Sequence, residues 1–218
     1  MGENVMSSFW DDSWRKIDTA RLNQYVNAFD LNPDRIIESL QSKHVRTVCD
    51  AGCGCGIYSL KLLSNGFSVS GFDVSDYAVN AAKQLLKGAS LTADIKTASI
   101  LSTGYEENQF DAVVARDVID HLPKKDGAAA IYELYRITRS GGIIFITLDH
   151  LDDEYETEAH AVNGDGDLVF TDGKWKGMVF HPYSEREIFQ MIPSDAVCEV
   201  ADSEEGMIVK LMKAVNAN

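Results

Sequence analysis

Basic residues are scarce in this chain. Its 218 residues carry 20 Lys and Arg against 34 Asp and Glu, a net charge of −14. Nucleic acid and anionic membrane surfaces both need a positive patch, so neither is expected as the main partner. No apolar run approaches the roughly 18 residues of a spanning helix. The opening MGENVMSSFW lacks the basic start and apolar stretch of a secretory leader. Met6 stands where a myristoylation motif would carry Ser or Thr. Cysteine is sparse too. Cys49, Cys53 and Cys55 crowd into seven residues and Cys198 stands alone. Neither a disulfide framework nor a second ligand pair at zinc spacing results, so no metal is expected. These absences point to a soluble, cytoplasmic protein; a monomer or homodimer is expected.

What is present is an ordinary globular composition, with 45% hydrophobic and 25% charged residues, enough for one domain with a full core over 1–218. From Phe9 to about Leu40, Trp10, Trp14, Ile17, Leu22, Tyr25, Val26 and Phe29 recur at helical intervals, with a break at Asn32-Pro33. Residues 1–44 therefore read as a helical cap. From Val45 the pattern alternates. Strands are expected at Val45–Asp50, Phe67–Asp73, Ala93–Ala98, Phe110–Ala115 and Gly142–Leu148. Helices are expected between them, at Ile57–Leu63, Ser75–Lys87 with Ser75 as N-cap, and Asp126–Arg139 with Gly141 just past its end. Strands alternating with helices over 45–149 mean a doubly wound, mostly parallel α/β sheet with helices on both faces. Residues 150–182 loosen into an acidic, glycine-containing insertion. Over 183–218 a helix at Ser184–Met191 precedes an antiparallel pair, Val197–Val200 and Met207–Met212, giving about seven strands.

The sharpest motif is Asp50-Ala-Gly52-Cys53-Gly54-Cys-Gly56, between the first strand and its helix. Glycines there allow positive φ and close approach of a ligand. The helix N-terminus that follows favours an anionic group, and open parallel sheets bind ligands at the carboxyl ends of their strands. A nucleotide-like cofactor is expected on these grounds. The spacing fits G-x-G-x-x-G poorly. Asp-x-Gly-x-Gly-x-Gly instead resembles the first motif of class I S-adenosylmethionine-dependent methyltransferases. Three further features follow in order: Asp73 at the end of the second strand, Phe110-Asp-Ala-Val-Val-Ala-Arg116-Asp117, and Arg136-Ile-Thr-Arg-Ser-Gly141-Gly142 before the fifth strand.

That resemblance, from about Val45 to Leu148, implies a Rossmann-like fold and S-adenosyl-L-methionine as cofactor. It implies that Asp73 accepts hydrogen bonds from the ribose diol. Gly52, Cys53 and Gly54 would lie beside the methionine portion, with Asp50 orienting the loop and the amino group. Ser99 stands where many relatives carry Asp to bond the adenine amino group, and Ile100 would pack on the adenine face. Val74, Arg116 and Trp14 complete the expected cofactor set.

Methyl transfer from a sulfonium needs alignment above all, and a general base only where the acceptor is protonated. Asp117, His121 and His150 follow the fourth and fifth strands and are the candidate catalytic groups. Trp10 and Trp14, four apart on one helical face, suit either packing or a lid that excludes water. Trp10, His181 and Tyr183 are the candidate substrate contacts. Residues 166–184 faintly resemble the tail of small bacterial methyltransferases related to tellurite-resistance proteins. All this favours a small-molecule acceptor. Two alternatives remain: an NAD-dependent oxidoreductase or epimerase, disfavoured by the glycine spacing and the lack of a Tyr-x-x-x-Lys pair, and a non-catalytic S-adenosylmethionine-binding protein.

Overall fold

The computed structural model describes residues 2–24, 29–151, 153–203 and 206–215. Five parallel strands, β1 (Thr47–Ala51), β2 (Ser68–Asp73), β3 (Asp94–Thr97), β4 (Phe110–Arg116) and β5 (Thr138–Leu148), are joined to two more, β9 (Val197–Ser203) and β10 (Gly206–Met212). The order is β3-β2-β1-β4-β5-β10-β9. β10 runs antiparallel to both β5 and β9, as the expected terminal pair requires. Ala112, Val113, Val114 and Ala115 are all 0% exposed, because β4 lies in the middle of the sheet and is covered on both faces.

Helices α4 (Ile57–Ser64), α5 (Asp76–Gly88), α6 (Lys124–Ile137) and α8 (Glu185–Met191) cover the sheet. Each apolar stripe is buried, for example Ala78, Ala82, Leu85 and Leu86 on α5. Ser75 caps α5 by accepting from the Ala78 N–H, and Ser184 with Glu187 closes a capping box on α8. β1 has β2 on one side and β4 on the other. The chain therefore reverses direction across the sheet at β1, and the loops after β1 and β4 part there to leave a crevice.

The helical cap differs from a long helix with one break. It forms α1 (Gly2–Arg15), α2 (Thr19–Gln24) and α3 (Arg35–Ser42), and Tyr25 and Val26 lie outside the described residues. The break after Arg15 has a local cause. The Asp18 carboxylate accepts from the Ala20 N–H at 3.0 Å and the Arg21 N–H at 3.3 Å, an N-cap geometry that competes with helix continuation. α1 packs on α5, where the Ser75 hydroxyl donates to Asp11 at 2.6 Å and Arg15 lies over the Tyr77 ring.

The insertion is also more regular than its composition suggested. It holds α7 (Asp153–Thr157) and a small antiparallel sheet of β6 (His160–Val162), β7 (Leu168–Phe170) and β8 (Val179–Phe180). Asn163 makes the turn, its side-chain oxygen accepting from the Asp165 and Asp167 amides. Three strands of two or three residues are too short to announce themselves by alternation. Their apolar face, Leu168, Phe170 and Phe180, packs with Phe9 of α1. The insertion therefore props α1 against the core.

One boundary moves. α6 ends at Ile137 and β5 begins at Thr138, with a register shift between Phe110 and Ala112 of β4. The Arg139–Gly142 stretch is thus a bulge inside the strand and not a turn before it. Asp111 pins it. Its carboxylate accepts from the Arg46 and Thr47 amides, both at 2.9 Å, and from Arg139 Nε at 2.6 Å. Burial, the largest single effect, pushes its carboxyl up, but the Thr47, Arg139 and Arg46 partners together outweigh it and pull the carboxyl down to about 2. A depressed folded-state pKa gives stability that is present above pH about 4 and lost as pH falls toward 2. Asp111→Ala is expected to cost about 1.5–3 kcal/mol near neutral pH. Chemical denaturation across pH 2–7 checks it: the wild-type advantage should shrink toward the acid end.

Candidate functional site

The crevice after β1 holds a cavity of about 650 Å³, a size suited to a cofactor together with a small ligand. The glycine loop forms its floor. Gly52, Gly54 and Gly56 have φ of +68°, +52° and +84°, the left-handed region that glycine enters freely. The loop is tied down from β2: Cys53 N–H donates to the Phe72 carbonyl at 2.9 Å. Gly54 N–H donates to Asp73 Oδ2 at 2.9 Å, and Ser75 N–H donates to Asp73 Oδ1 at 2.9 Å. Asp73 therefore holds the loop in shape and also lines the cavity. Each carboxylate oxygen has a second lone pair for a ligand hydroxyl. Burial pushes its carboxyl up, opposed by the amides of Ser75, Gly54 and Val74.

Asp50, 2% exposed, also faces the cavity. Ser59 Oγ donates to its Oδ2 at 2.5 Å. Burial raises its carboxyl to about 6, countered by that hydroxyl and by Arg116. Arg116 lies on the wall with its guanidinium 4.5 Å from the centre of the Tyr58 ring. Cys53, Val74, Ser99 and Ile100 line the cavity too. Ser99 Oγ already accepts from the Leu101 amide at 3.2 Å, so the β3 loop is held by its own serine.

α1 forms the roof. A Cβ on Gly54 would lie 2.9 Å from the Trp14 ring, which puts that indole directly over the loop. Trp10 meets the His121 ring edge-on at 5.2 Å. Asp117 and His121 stand on the wall after β4. Asp117 takes a φ of +54° and accepts from the Thr147 hydroxyl, a fixed left-handed turn at the end of a strand. Burial lowers the His121 pKa, favouring the neutral imidazole, against a hydrogen bond with the Val179 backbone and the charges of Asp149 and Asp117. Behind it, burial and the Asp117 charge push the Asp120 carboxyl up to about 7, against the Asp149 amide that bonds it.

Three expected site residues are not on the cavity wall. His150 is exposed and bonds Asp202 at 2.8 Å, because the chain leaving β5 turns its side chain toward β9. His181 is 3% exposed, its Nδ1 2.9 Å from Asp167 and its Nε2 3.5 Å from Glu187. Tyr183 meets the His181 ring edge-on at 4.4 Å and presses against Gly127 of α6. Both fasten the insertion to α6 and α8. The cavity instead draws in Ile57, Tyr58, Phe72, Val118 and Leu122, which sequence reasoning missed. Of these, only Val118 had a signal, since it directly follows the expected Arg116-Asp117. The structure shows why it matters: a Cβ on Gly52 would lie 2.5 Å from its side chain.

A family model described as a methyltransferase domain matches residues 49–146. The chain is similar to a ubiquinone biosynthesis O-methyltransferase of Nitrosomonas europaea, 34% identical over 124 residues, 56% of this chain and 51% of that protein. Its counterpart in Pseudomonas entomophila is 31% identical over 131 residues, covering 58% of this chain and 55% of that one. The chain thus spans about half the length of the curated relatives it matches. Among solved structures, a SAM-dependent methyltransferase of Methanosarcina mazei superposes with a TM-score of 0.72 at 20% identity, over 85% of this chain and 100% of that one. The magnesium protoporphyrin IX methyltransferase of Synechocystis with bound SAH gives 0.65 at 16% identity, over 97% and 99%. These two likenesses concern the fold.

Proposed function

We propose that the chain, whose residues 49–146 match a methyltransferase-domain model, is a class I S-adenosylmethionine-dependent methyltransferase that transfers a methyl group from S-adenosyl-L-methionine to a hydroxyl of a small molecule. The observation that carries this reading is the loop cradle. Two left-handed glycines, Gly52 and Gly54, together with Asp50 and Asp73 surround one cavity, and Asp73 both shapes the loop and faces the ligand space. The cofactor supplies a methyl group already activated on a sulfonium. Asp73 accepts from its ribose hydroxyls and Asp50 faces its amino group. Ile100 packs on the adenine, and Trp10 and Trp14 keep water from the reacting atoms. Asp117 and His121 are the groups on the wall able to take the proton of a hydroxyl acceptor. The hydroxyl follows from the O-methyltransferase names of the relatives. The acidic net charge of −14 argues for a neutral or cationic small acceptor over nucleic acid. The free thiols Cys49, Cys53, Cys55 and Cys198 suit a reducing cytoplasm.

Calorimetry tests it. SAM and SAH should bind in the micromolar range and NAD should not; binding of NAD alone would overturn the reading. A cationic ligand needs Asp50 ionised, so SAM affinity should fall roughly tenfold from pH about 7.5 to pH about 5 as Asp50, at about 6, takes up a proton. The stability linkage has the opposite sign. A raised folded-state pKa favours folding below the ordinary 3.8 and loses that contribution as pH rises through about 6. Loss of affinity on acidification is therefore separable from acid unfolding. Mass increase of a hydroxylated acceptor by one methyl group distinguishes a transferase from a protein that only binds the cofactor.

A further inference from the structure

The residues given to the cofactor come mainly from the loops after β1, β2 and β3. A second stretch of wall is built by Trp10 of α1, by Asp117, Val118, His121 and Leu122 after β4, and by Asp126 in the first turn of α6. Across the whole lining, the carboxylates of Asp50, Asp73, Asp117 and Asp126 face a single guanidinium, that of Arg116, among the described residues. Arg116 is engaged on the cofactor side, 4.5 Å from the centre of the Tyr58 ring and acting on Asp50. His121 adds no charge, because burial favours its neutral form. The second stretch therefore holds two acids with no cation of its own. Its polar atoms are acceptors that lack donors. The Asp126 carboxylate accepts no hydrogen bond and joins no ion pair among the described residues. Nor is it needed to cap α6, since Asp167 already accepts from the Lys124 N–H there at 3.0 Å. His121 points to a ligand independently. It is 8% exposed and lines the cavity, and its Nδ1 is buried with no hydrogen-bond partner among the described residues. The other ring nitrogen donates to the Val179 backbone, so Nδ1 keeps its lone pair. A buried lone pair left unmet is uncommon and calls for a ligand that donates. Trp10 meets this imidazole edge-on at 5.2 Å, which sets an indole beside the acids, and aromatic rings attract cations.

We propose that the small molecule taken by this cavity is a cationic amine with an apolar body, its ammonium held by Asp126 near Trp10 and its hydroxyl turned to Asp117 and His121. Asp126 is then the residue that sets specificity. An ammonium offers only donors and brings the charge this wall lacks. A carboxylate or phosphate in its place would meet the like charges of Asp117 and Asp126 and would leave their lone pairs unmet, so the wall selects against anions as well as for cations. Val118 and Leu122 line the same stretch and cover the apolar body. That the hydroxyl is methylated rests on the methyl-transfer reading; the ammonium subsite does not. Asp126 carries no signal in the sequence, where it reads only as an acid opening a helix.

The test is calorimetric titration, with and without SAH, using phenols that share one ring and chain: tyramine, which ends in an ammonium, the neutral para-propylphenol, and the anionic para-hydroxyphenylpropanoate. Tyramine should bind roughly tenfold or more tightly than either of the others. Asp126→Asn should erase that preference while SAH affinity stays within about twofold, and Asp126→Glu, which keeps the charge, should retain it. Circular dichroism checks the fold of each variant. No binding of tyramine, equal or reversed affinities among the phenols, or a preference that survives Asp126→Asn overturns the subsite. Methylated product is followed separately by mass, with SAM in place of SAH. Tyramine bound with an Asp126-dependent preference but never methylated leaves the subsite standing and removes the methyl-transfer reading. Methylation of the neutral or anionic phenol in preference to tyramine does the reverse.

Discussion

Asp73→Ala is expected to weaken SAH binding by roughly 10- to 150-fold, the equivalent of losing about 1.5–3 kcal/mol of charge-assisted hydrogen bonding. The effect is large because Asp73 acts on both sides of the interface. Its two oxygens accept from Gly54 and Ser75 of the protein, and their remaining lone pairs face the cavity. The structure adds an expectation that motif reading does not contain: Asp73→Asn should be nearly as damaging as Asp73→Ala. An amide has one oxygen. Whichever way it turns, its NH₂ meets either the Gly54 or the Ser75 N–H, two donors face to face. An exposed ribose-binding carboxylate would tolerate Asn far better. Calorimetry on both variants, with circular dichroism to confirm the fold, decides this. Near-wild-type affinity in Asp73→Ala would remove Asp73 from the ligand site, and full retention in Asp73→Asn alone would remove its role in the loop.

The parts of the molecule that sequence exposes best are those governed by local rules. Val48, Val113 and Ile144 fall in apolar runs short enough to be strands, and Ser75 and Ser184 announce the helices they cap. The Gly52–Gly56 spacing requires a backbone that only glycine accepts easily. Boundaries set by tertiary contacts were less visible. β5 begins at Thr138, before the glycines, because Asp111 captures Arg139 across a bulge. Nothing in the local sequence encodes that partnership, which links residues 28 positions apart.

Side-chain direction at strand ends was the other blind spot. His121 and His150 both follow strands whose carboxyl ends surround the crevice, and both are chemically able to act as bases. One faces Trp10 and the cavity; the other faces Asp202 and solvent. The difference is made by the turn after each strand. The left-handed Asp117 redirects the chain after β4, and β9 and β10 draw the chain after β5 to the far edge. Likewise His181 and Tyr183, read as substrate contacts from their aromatic neighbourhood, are absorbed in fastening the small β6–β8 sheet to α6. That sheet in turn buries Phe9, so the segment with the weakest sequence signal determines where the roof helix lies.

Gly54→Val should reduce SAH affinity by on the order of 100-fold or more, and the structure separates the loss into two parts. The first is backbone strain. Gly54 has a φ of +52°, and a β-branched residue held there costs about 1–3 kcal/mol. The second is steric. The new Cβ would lie 2.9 Å from two atoms of the Trp14 ring, an overpacking of about 1–3 kcal/mol unless α1 lifts. Only the second can be relieved from outside the loop. Trp14→Ala in the Gly54→Val background should therefore recover part of the affinity, about tenfold, and no more. On its own, Trp14→Ala should weaken binding, because it opens the roof. The two substitutions together are thus less damaging than their separate effects combined, which is the signature of a direct contact. Limited proteolysis of α1 gives the independent readout: Gly54→Val should expose it, and adding Trp14→Ala should let it close again. Full recovery in the double variant would mean that the loop does not need its left-handed turn to bind. Tight SAH binding by a folded Gly54→Val protein would place the cofactor elsewhere, since no ligand could then be lying against this loop beneath this helix.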